Sequence, residues 1–359
     1  MGIAARERGD DRAGTIGSAS VAEYAAALLA MADSAGARLQ PTRIQLPWLD
    51  LTVRLSEGPL KQAIAETIVP LTVAAGQDRK TLSVTILHAG LSGVEAPRPW
   101  GDEPYFPHEL NRRLGPAGLQ ASFSHDQCLW QVMSSGEGRA VQLMQGPEDY
   151  PPWEPGAPLR VFLHWAYAAI GRRLVHGGTL GLDGRGVLLA GAGGAGKSGT
   201  VVAGLLSGLA SVGDDYVLVD LSGGVSAAPL YGTLKQDPAG YARLGLAERI
   251  GERPLNWQGK HQFHVRDIAV GPIPPRLGLQ AILIPKTGAT RTTLEPASAR
   301  DVLLALAPSA LWQMPGERES GFRFFATLAG RLPGYVLHLG PEPAEIAARL
   351  RRFIEDGRP

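Results

Sequence analysis

A lysine and a serine that directly follow a run of glycines, with two aspartates 16 and 17 residues beyond the serine, are the residues of this chain best equipped for phosphate chemistry. The stretch Gly191-Ala192-Gly193-Gly194-Ala195-Gly196-Lys197-Ser198-Gly199 satisfies the spacing G-x-x-x-x-G-K-[ST] of a phosphate-binding loop. Its glycines let successive backbone N–H groups turn toward phosphate oxygens with no Cβ in the way. Lys197 then reaches the β- and γ-phosphates, and the Ser198 hydroxyl is a ligand for Mg²⁺. ATP and Mg²⁺ are the expected nucleotide and ion. One helix and a turn back fill the interval to Asp214 and Asp215, which returns a carboxylate to the γ-phosphate, where it can accept a hydroxyl proton or hold Mg²⁺. Gly213-Asp214-Asp215 is also ordinary turn chemistry. Gly191, Gly193 and Gly196 spell a dinucleotide fingerprint as well, with Asp220 as its ribose-binding acid. A dinucleotide site has no use for Lys197-Ser198, so the triphosphate reading is preferred.

The flanking residues supply the strand and helix that such a loop needs. Gly186 to Ala190 is an apolar run that reads as a buried strand. Val201, Val202, Leu205, Leu206 and Leu209 recur at helical spacing after the loop. Asp214 and Asp215 lead into Tyr216-Val-Leu-Val-Asp220, a further strand. Downstream, strands are expected at 230–235, 262–265, 279–284 and 335–339, and helices at 297–306, 322–332 and 341–354. The part before the loop reads as mixed α+β. A helix begins with the capping-box pattern Ser20 to Glu23, and strands are expected near 43–46, 51–55, 82–87, 120–124, 129–133 and 140–144. Residues 1–16 read as a polar, disordered tail and 17–145 as a smaller α+β N-terminal domain, a candidate for peptide recognition. Residues 146–158 hold five prolines and read as a stiff linker, and 159–359 read as the domain that carries the loop. Leu159 to Leu174 is expected to be one helix, ended by His176-Gly177.

Composition excludes several classes. With 35 basic and 34 acidic residues the formal charge is +1, so no general nucleic-acid or membrane-surface binder is expected. A single cysteine, Cys128, forbids an internal disulfide or a cysteine metal cluster. No apolar run is long enough to span a bilayer, and the charged N-terminus lacks the apolar centre of a signal peptide. The expected location is the cytoplasm.

Val212-Gly-Asp-Asp-Tyr-Val-Leu-Val219, with His176-Gly177 standing 15 residues before Gly191, resembles the HPr kinase/phosphorylase family over residues 159–359. The resemblance implies a phosphate-loop fold of the phosphoenolpyruvate-carboxykinase type that transfers the γ-phosphate of ATP to a serine hydroxyl. It implies Lys197 and Ser198 on the triphosphate and Mg²⁺, Asp214 as general base, Asp215 beside it as a metal ligand with Ser198, and His176 assisting near the acceptor. Members of the family form homo-oligomers, and no residue of this sequence carries that property over. The family's arginine after the paired acids is Tyr216 here, and its downstream Glu-Ile-Arg-Gly element is missing. Lys235 and Lys260 are the basic residues available in its place. These departures resemble the diverged HPr-kinase-like proteins, some of which phosphorylate a serine of a ribosomally made, lasso-type precursor peptide. The partner so implied is a peptide or protein bearing an acceptor serine. A nucleotide-binding regulator without transfer activity is the second reading, and a dinucleotide oxidoreductase the third.

Overall fold

A computed structural model describes residues 18–56, 58–71, 79–89, 107–124, 126–311 and 318–357. The chain is a mixed α/β protein built on two large sheets. The expected tail at 1–16 lies outside the described residues.

The first sheet comprises β1 (Pro41–Leu46), β2 (Leu49–Arg54), β3 (Lys80–His88), β4 (Leu119–Ser124), β5 (Leu129–Ser134) and β6 (Arg139–Met144), in the order β1-β2-β3-β6-β5-β4. β4, β5 and β6 form the antiparallel meander that their alternating sequence suggests, with Phe123 opposite Trp130 and Trp130 opposite Leu143. One face is covered by the helices Ser18–Gly36 and Pro107–Leu114, whose Leu28, Leu110 and Leu114 pack on Trp130 and Val141. The capping-box residues Ser20 to Glu23 lie inside the first helix, which has already begun at Ser18.

The other face of this sheet shares one core with the second half of the chain. Leu51, Val53 and Val84 lie in the same buried cluster as Phe162, Trp165, Leu218 and Tyr231. The proline-rich stretch is built into this junction. Pro155, Gly156 and Pro158 accept hydrogen bonds from Thr67 (3.0 Å), Thr233 (2.6 Å) and Tyr231 (3.1 Å). Glu154 is buried and accepts the Leu159 backbone N–H at 2.6 Å.

The second sheet comprises β7 (Arg173–Leu182), β8 (Arg185–Ala190), β9 (Tyr216–Asp220), β10 (Ser226–Ala228), β13 (Leu277–Thr287), β14 (Thr293–Ala297) and β15 (Gly334–Leu339), in the order β10-β9-β7-β8-β13-β15-β14. β8, β13 and β15 are parallel. β11 (Thr233–Gln236) and β12 (His261–His264) form a separate pair. Helices cover both faces, Lys197–Leu206 and Pro343–Asp356 on one and Ala299–Leu311 and Arg318–Arg331 on the other. This layering suits parallel strands, which read as continuous apolar runs because both faces are buried.

One expected element is corrected. The helix over 159–174 ends early, as Arg160–Ala168, and Gly171 takes a left-handed turn at φ 74°. Residues 173–182 are β7, so His176-Gly177 is strand and not a helix end. The pairing of His176 with Tyr216 and of Gly177 with Ala190 draws the segment into the sheet. No helix among the described residues is long and apolar enough to cross a membrane.

Candidate active site

The site lies where β7 passes from one neighbour to another. Residues 177–182 of β7 pair with β8, and residues 173–176 pair with β9. Ala190, the last residue of β8, sits opposite Gly177, and the glycine loop starts one residue later. On the other side of β7, Gly177 N–H donates to Asp215 O (3.1 Å) and Thr179 N–H to Gly213 O (3.1 Å). The register thus brings the paired aspartates level with the start of the loop.

The loop leads into the Lys197–Leu206 helix, whose N-terminal N–H groups favour an anion. Gly196 has φ 99°, and a Cβ there would lie 2.5 Å from Leu339 Cδ1, so glycine is required both for the turn and for the fit against β15. Lys197 is buried, and its Nζ donates to Gly191 O (2.7 Å) and Ala192 O (2.9 Å). Burial lowers its pKa, the Asp214 and Asp215 charges oppose that shift, and Lys260 adds to it. Lys260 is therefore close enough to be felt at Lys197. It is placed by the Asn256 turn, in which Asn256 Oδ1 accepts the Lys260 backbone N–H at 3.1 Å.

The two aspartates occupy different environments. Asp214 is only 1% exposed. Burial raises its pKa, and a hydrogen bond from Ser198 works against that rise. Its Oδ1 has no hydrogen-bond partner. Gly178 leaves the space it fills, because a Cβ at 178 would come within 2.8 Å of Asp214 Oδ1. Asp215 adopts a left-handed φ of 69°, which aspartate tolerates better than most residues. Its Oδ1 is 3.2 Å from His176 Nδ1, and its Oδ2 accepts from Lys235 Nζ at 2.8 Å. Burial pushes its carboxyl up, but the bonds and charges of His176 and Lys235 outweigh burial and hold it below the usual carboxylate range.

Asp214 keeps a buried oxygen without a partner, and His176, Asp215 and Lys235 form a group beside it. A hydroxyl next to a carboxylate whose buried oxygen lacks a partner is a donor set suited to Mg²⁺. The imidazole of His176 thus faces the Asp215 carboxylate, with Nδ1 toward Oδ1. Asp220, the acid of the dinucleotide fingerprint, is buried and lies 3.4 Å from Arg172 and 3.6 Å from Arg276.

Three neighbours of the site were not evident in the sequence. Arg160 donates to the Tyr216 hydroxyl at 2.7 Å, and its guanidinium lies 4.8 Å from that ring, which packs edge-on to His176. A guanidinium thus reaches Tyr216 from a helix 56 residues upstream, a separation that no local motif signals. Gly156 packs so closely that a Cβ there would be 3.0 Å from Lys235 Nζ. Gly178 is the third, and its place behind Asp214 depends on the strand register.

No protein-family model matches the chain, and no curated protein matches it.

Proposed function

We propose that the chain is an ATP- and Mg²⁺-dependent kinase with a phosphate-loop domain of the phosphoenolpyruvate-carboxykinase/HPr-kinase type, acting on a serine hydroxyl of a peptide or protein. The observation that carries the reading is the convergence of Lys197 and Ser198 with Asp214 and the Asp215–His176–Lys235 group at the end of β8. A glycine loop alone argues only for a nucleotide. A buried, incompletely bonded carboxylate on the loop serine and an oriented imidazole next to it are what a transfer site needs in addition.

The loop amides and Lys197 hold the triphosphate. Ser198 and Asp214 would hold Mg²⁺, which would supply charge neutralisation at the phosphates. This division moves the metal-binding role from Asp215 to Asp214, because Asp214 Oδ1 is buried without a partner whereas the two Asp215 oxygens face His176 and Lys235. Asp215 orients His176 through Nδ1, and His176 Nε2 takes the proton of the serine hydroxyl as the oxygen–phosphorus bond forms. The bond from the γ-phosphorus to the β–γ bridging oxygen breaks, and its electrons leave with ADP. Lys235 and Lys260 face the charge on the transferring group. The preferred acceptor is a ribosomally made precursor peptide, and the first-sheet domain is the surface proposed to recognise it. Both rest on the family resemblance.

Calorimetric titration with Mg-ATP and transfer of label from ATP to serine peptides test the two halves of this reading. ATP binding that is strongly weakened by Lys197→Ala, together with label on serine and none on alanine counterparts, supports it. ATP binding without transfer to any acceptor leaves the regulatory reading. NAD binding that survives Lys197→Ala replaces the kinase with a dinucleotide protein.

A further inference from the structure

Among the described residues five large hydrophobic side chains are well exposed, and two of them, Leu255 at 55% and Trp257 at 53%, stand on one turn. The turn is closed by its own hydrogen bonds. Asn256 N–H donates to Lys260 O (2.8 Å), Gly259 N–H donates to Asn256 O (2.9 Å), and Asn256 Oδ1 accepts the Gln258 N–H at 2.9 Å. Leu255 bridges His261, the first residue of β12, which ties the turn to the β11–β12 pair. No bond of this turn needs an indole at 257 or an isobutyl group at 255. One exposed hydrophobic side chain calls for no explanation, but neighbouring ones on a rigid support mark an interaction surface.

Trp153, from the proline-rich stretch, extends this surface. It is half-buried and stands edge-on to Trp257, with ring centroids 6.1 Å apart and planes at 61°. Its backbone is fixed as well, since Trp153 O accepts the Gly156 N–H at 3.1 Å. Two routes join these side chains to the candidate active site. Gly156 packs against Lys235, where a Cβ would lie 3.0 Å from Nζ, and the same Nζ donates to Asp215 Oδ2 at 2.8 Å. Lys260, at the far end of the turn, is close enough for its charge to be felt at Lys197. The apolar rim of Trp153, Leu255 and Trp257 is therefore continuous, through Lys235 and Lys260, with the Asp215–His176 pair and the glycine loop.

We propose that this rim is an acceptor subsite that takes an aromatic or large aliphatic side chain a few residues from the phosphorylated serine. The inference rests on the kinase reading and adds a sequence preference to it. The first-sheet domain is the surface proposed for the precursor peptide as a whole, whereas the rim reads a residue beside the serine. The contacts from His176 through Asp215, Lys235 and Gly156 to the rim are each short. An extended peptide advances about 3.3–3.6 Å per residue, so one short segment reaches both places. An incoming ring packs edge-on or offset against the two indoles. Because both indoles sit on hydrogen-bonded backbone, little freedom is lost on binding. A small or charged side chain at that position would leave the rim in water.

The test uses the full chain and serine peptides that differ at one position, Phe or Ala, placed in turn up to about four residues on either side of the serine. Each peptide is assayed for transfer from Mg-ATP and, separately, titrated by calorimetry without nucleotide. Wild type should prefer Phe at one or more positions by about tenfold in kcat/KM, mainly through KM. Trp257→Ala should reduce that preference to within about twofold, and Leu255→Ala should reduce it by about threefold. Both variants remove exposed side chains, and both should handle the Ala peptides and bind Mg-ATP within about twofold of wild type. No Phe preference at any position overturns the proposal, and so does a preference that survives in both variants. An equal loss on Phe and Ala peptides also overturns it, because the turn would then belong to the transfer machinery. If wild type transfers phosphate to no peptide, the titration decides alone. Phe-selective binding that Trp257→Ala abolishes then keeps the subsite and removes the kinase. Equal binding of Phe and Ala peptides, or none, removes both.

Discussion

Gly178→Ala adds one methyl group behind the candidate metal-binding carboxylate and tests the strand register that puts it there. Gly178 lies in the middle of β7 without a positive φ, so alanine meets no backbone objection. The new Cβ would stand 2.5 Å from Val201 Cγ2 and 2.8 Å from Asp214 Oδ1, both in buried side chains. Overpacking of this kind costs about 1–3 kcal/mol. The lower entropy of the unfolded alanine chain offsets about 0.4–1 kcal/mol of that. The net expectation is a loss of about 0–2.6 kcal/mol in urea denaturation, centred near about 1.3 kcal/mol. Gly115→Ala is the control, because a Cβ there meets nothing within 4 Å and no positive φ is involved. It should leave stability unchanged or slightly raised. Asp214 is the softer of the two obstacles, so it should yield, and a displacement of a catalytic group by about 1 Å costs on the order of 10²-fold in rate. Gly178→Ala should therefore lose transfer while it still binds nucleotide. A variant as stable as Gly115→Ala with full transfer would refute this placement of Asp214.

Lys197→Ala should weaken Mg-ATP binding about 10- to 100-fold, the worth of one charge-assisted bond of about 1.5–3 kcal/mol, as read by calorimetry. Asp214→Asn should raise the Mg²⁺ concentration needed for half-maximal transfer by about tenfold or more, and an unchanged Mg²⁺ requirement would return the base role to Asp214. His176→Gln should lower kcat by about 10²- to 10⁴-fold, whereas a kcat within a few-fold of wild type would exclude His176 as the proton acceptor. Glu154 gives a stability prediction, because burial pushes its carboxyl up to about 7 from 4.5, against the Leu159 N–H and the Arg160 charge. A raised carboxyl pKa contributes stability that is fully present below about 4.5 and is lost as pH rises through about 7, with an upper bound of about 3 kcal/mol. Glu154→Gln, whose amide oxygen can still accept the Leu159 N–H, should remove that decline in pH-dependent denaturation, and an equally steep decline in the variant would count against it.

The site was partly legible in the sequence because its chemistry is local. Gly191 to Ser198 and the pair Asp214-Asp215 are short motifs, and the apolar runs around them mark strand and helix. The meander of β4 to β6 was legible because three apolar-rich 6-residue runs are separated by short stretches of turn residues. What failed was the segment after Ala168. Its aliphatic residues fit a helix as well as a strand, and only the long-range partners Ala190 and Tyr216 decide for a strand. Arg160 was missed because it meets the Tyr216 hydroxyl only by packing across 56 residues. The inward packing of Glu154 was hidden because its neighbours are prolines, which read as a spacer when their partners Thr67, Tyr231 and Thr233 lie about 70–90 residues away. The left-handed φ of Asp215 was likewise not readable, since Gly-Asp-Asp suggests a turn without saying which residue adopts it.

Intact-mass analysis of serine peptides incubated with Mg-ATP tests the central claim most directly, with wild type, Asp214→Asn and His176→Gln run side by side. The account predicts that wild type adds one phosphate to a serine-containing acceptor, that Asp214→Asn does so only at raised Mg²⁺, and that His176→Gln loses the transfer while it still binds ATP. Proven ATP binding by wild type with no phosphate on any acceptor, or transfer that proceeds undiminished in both variants, would contradict it.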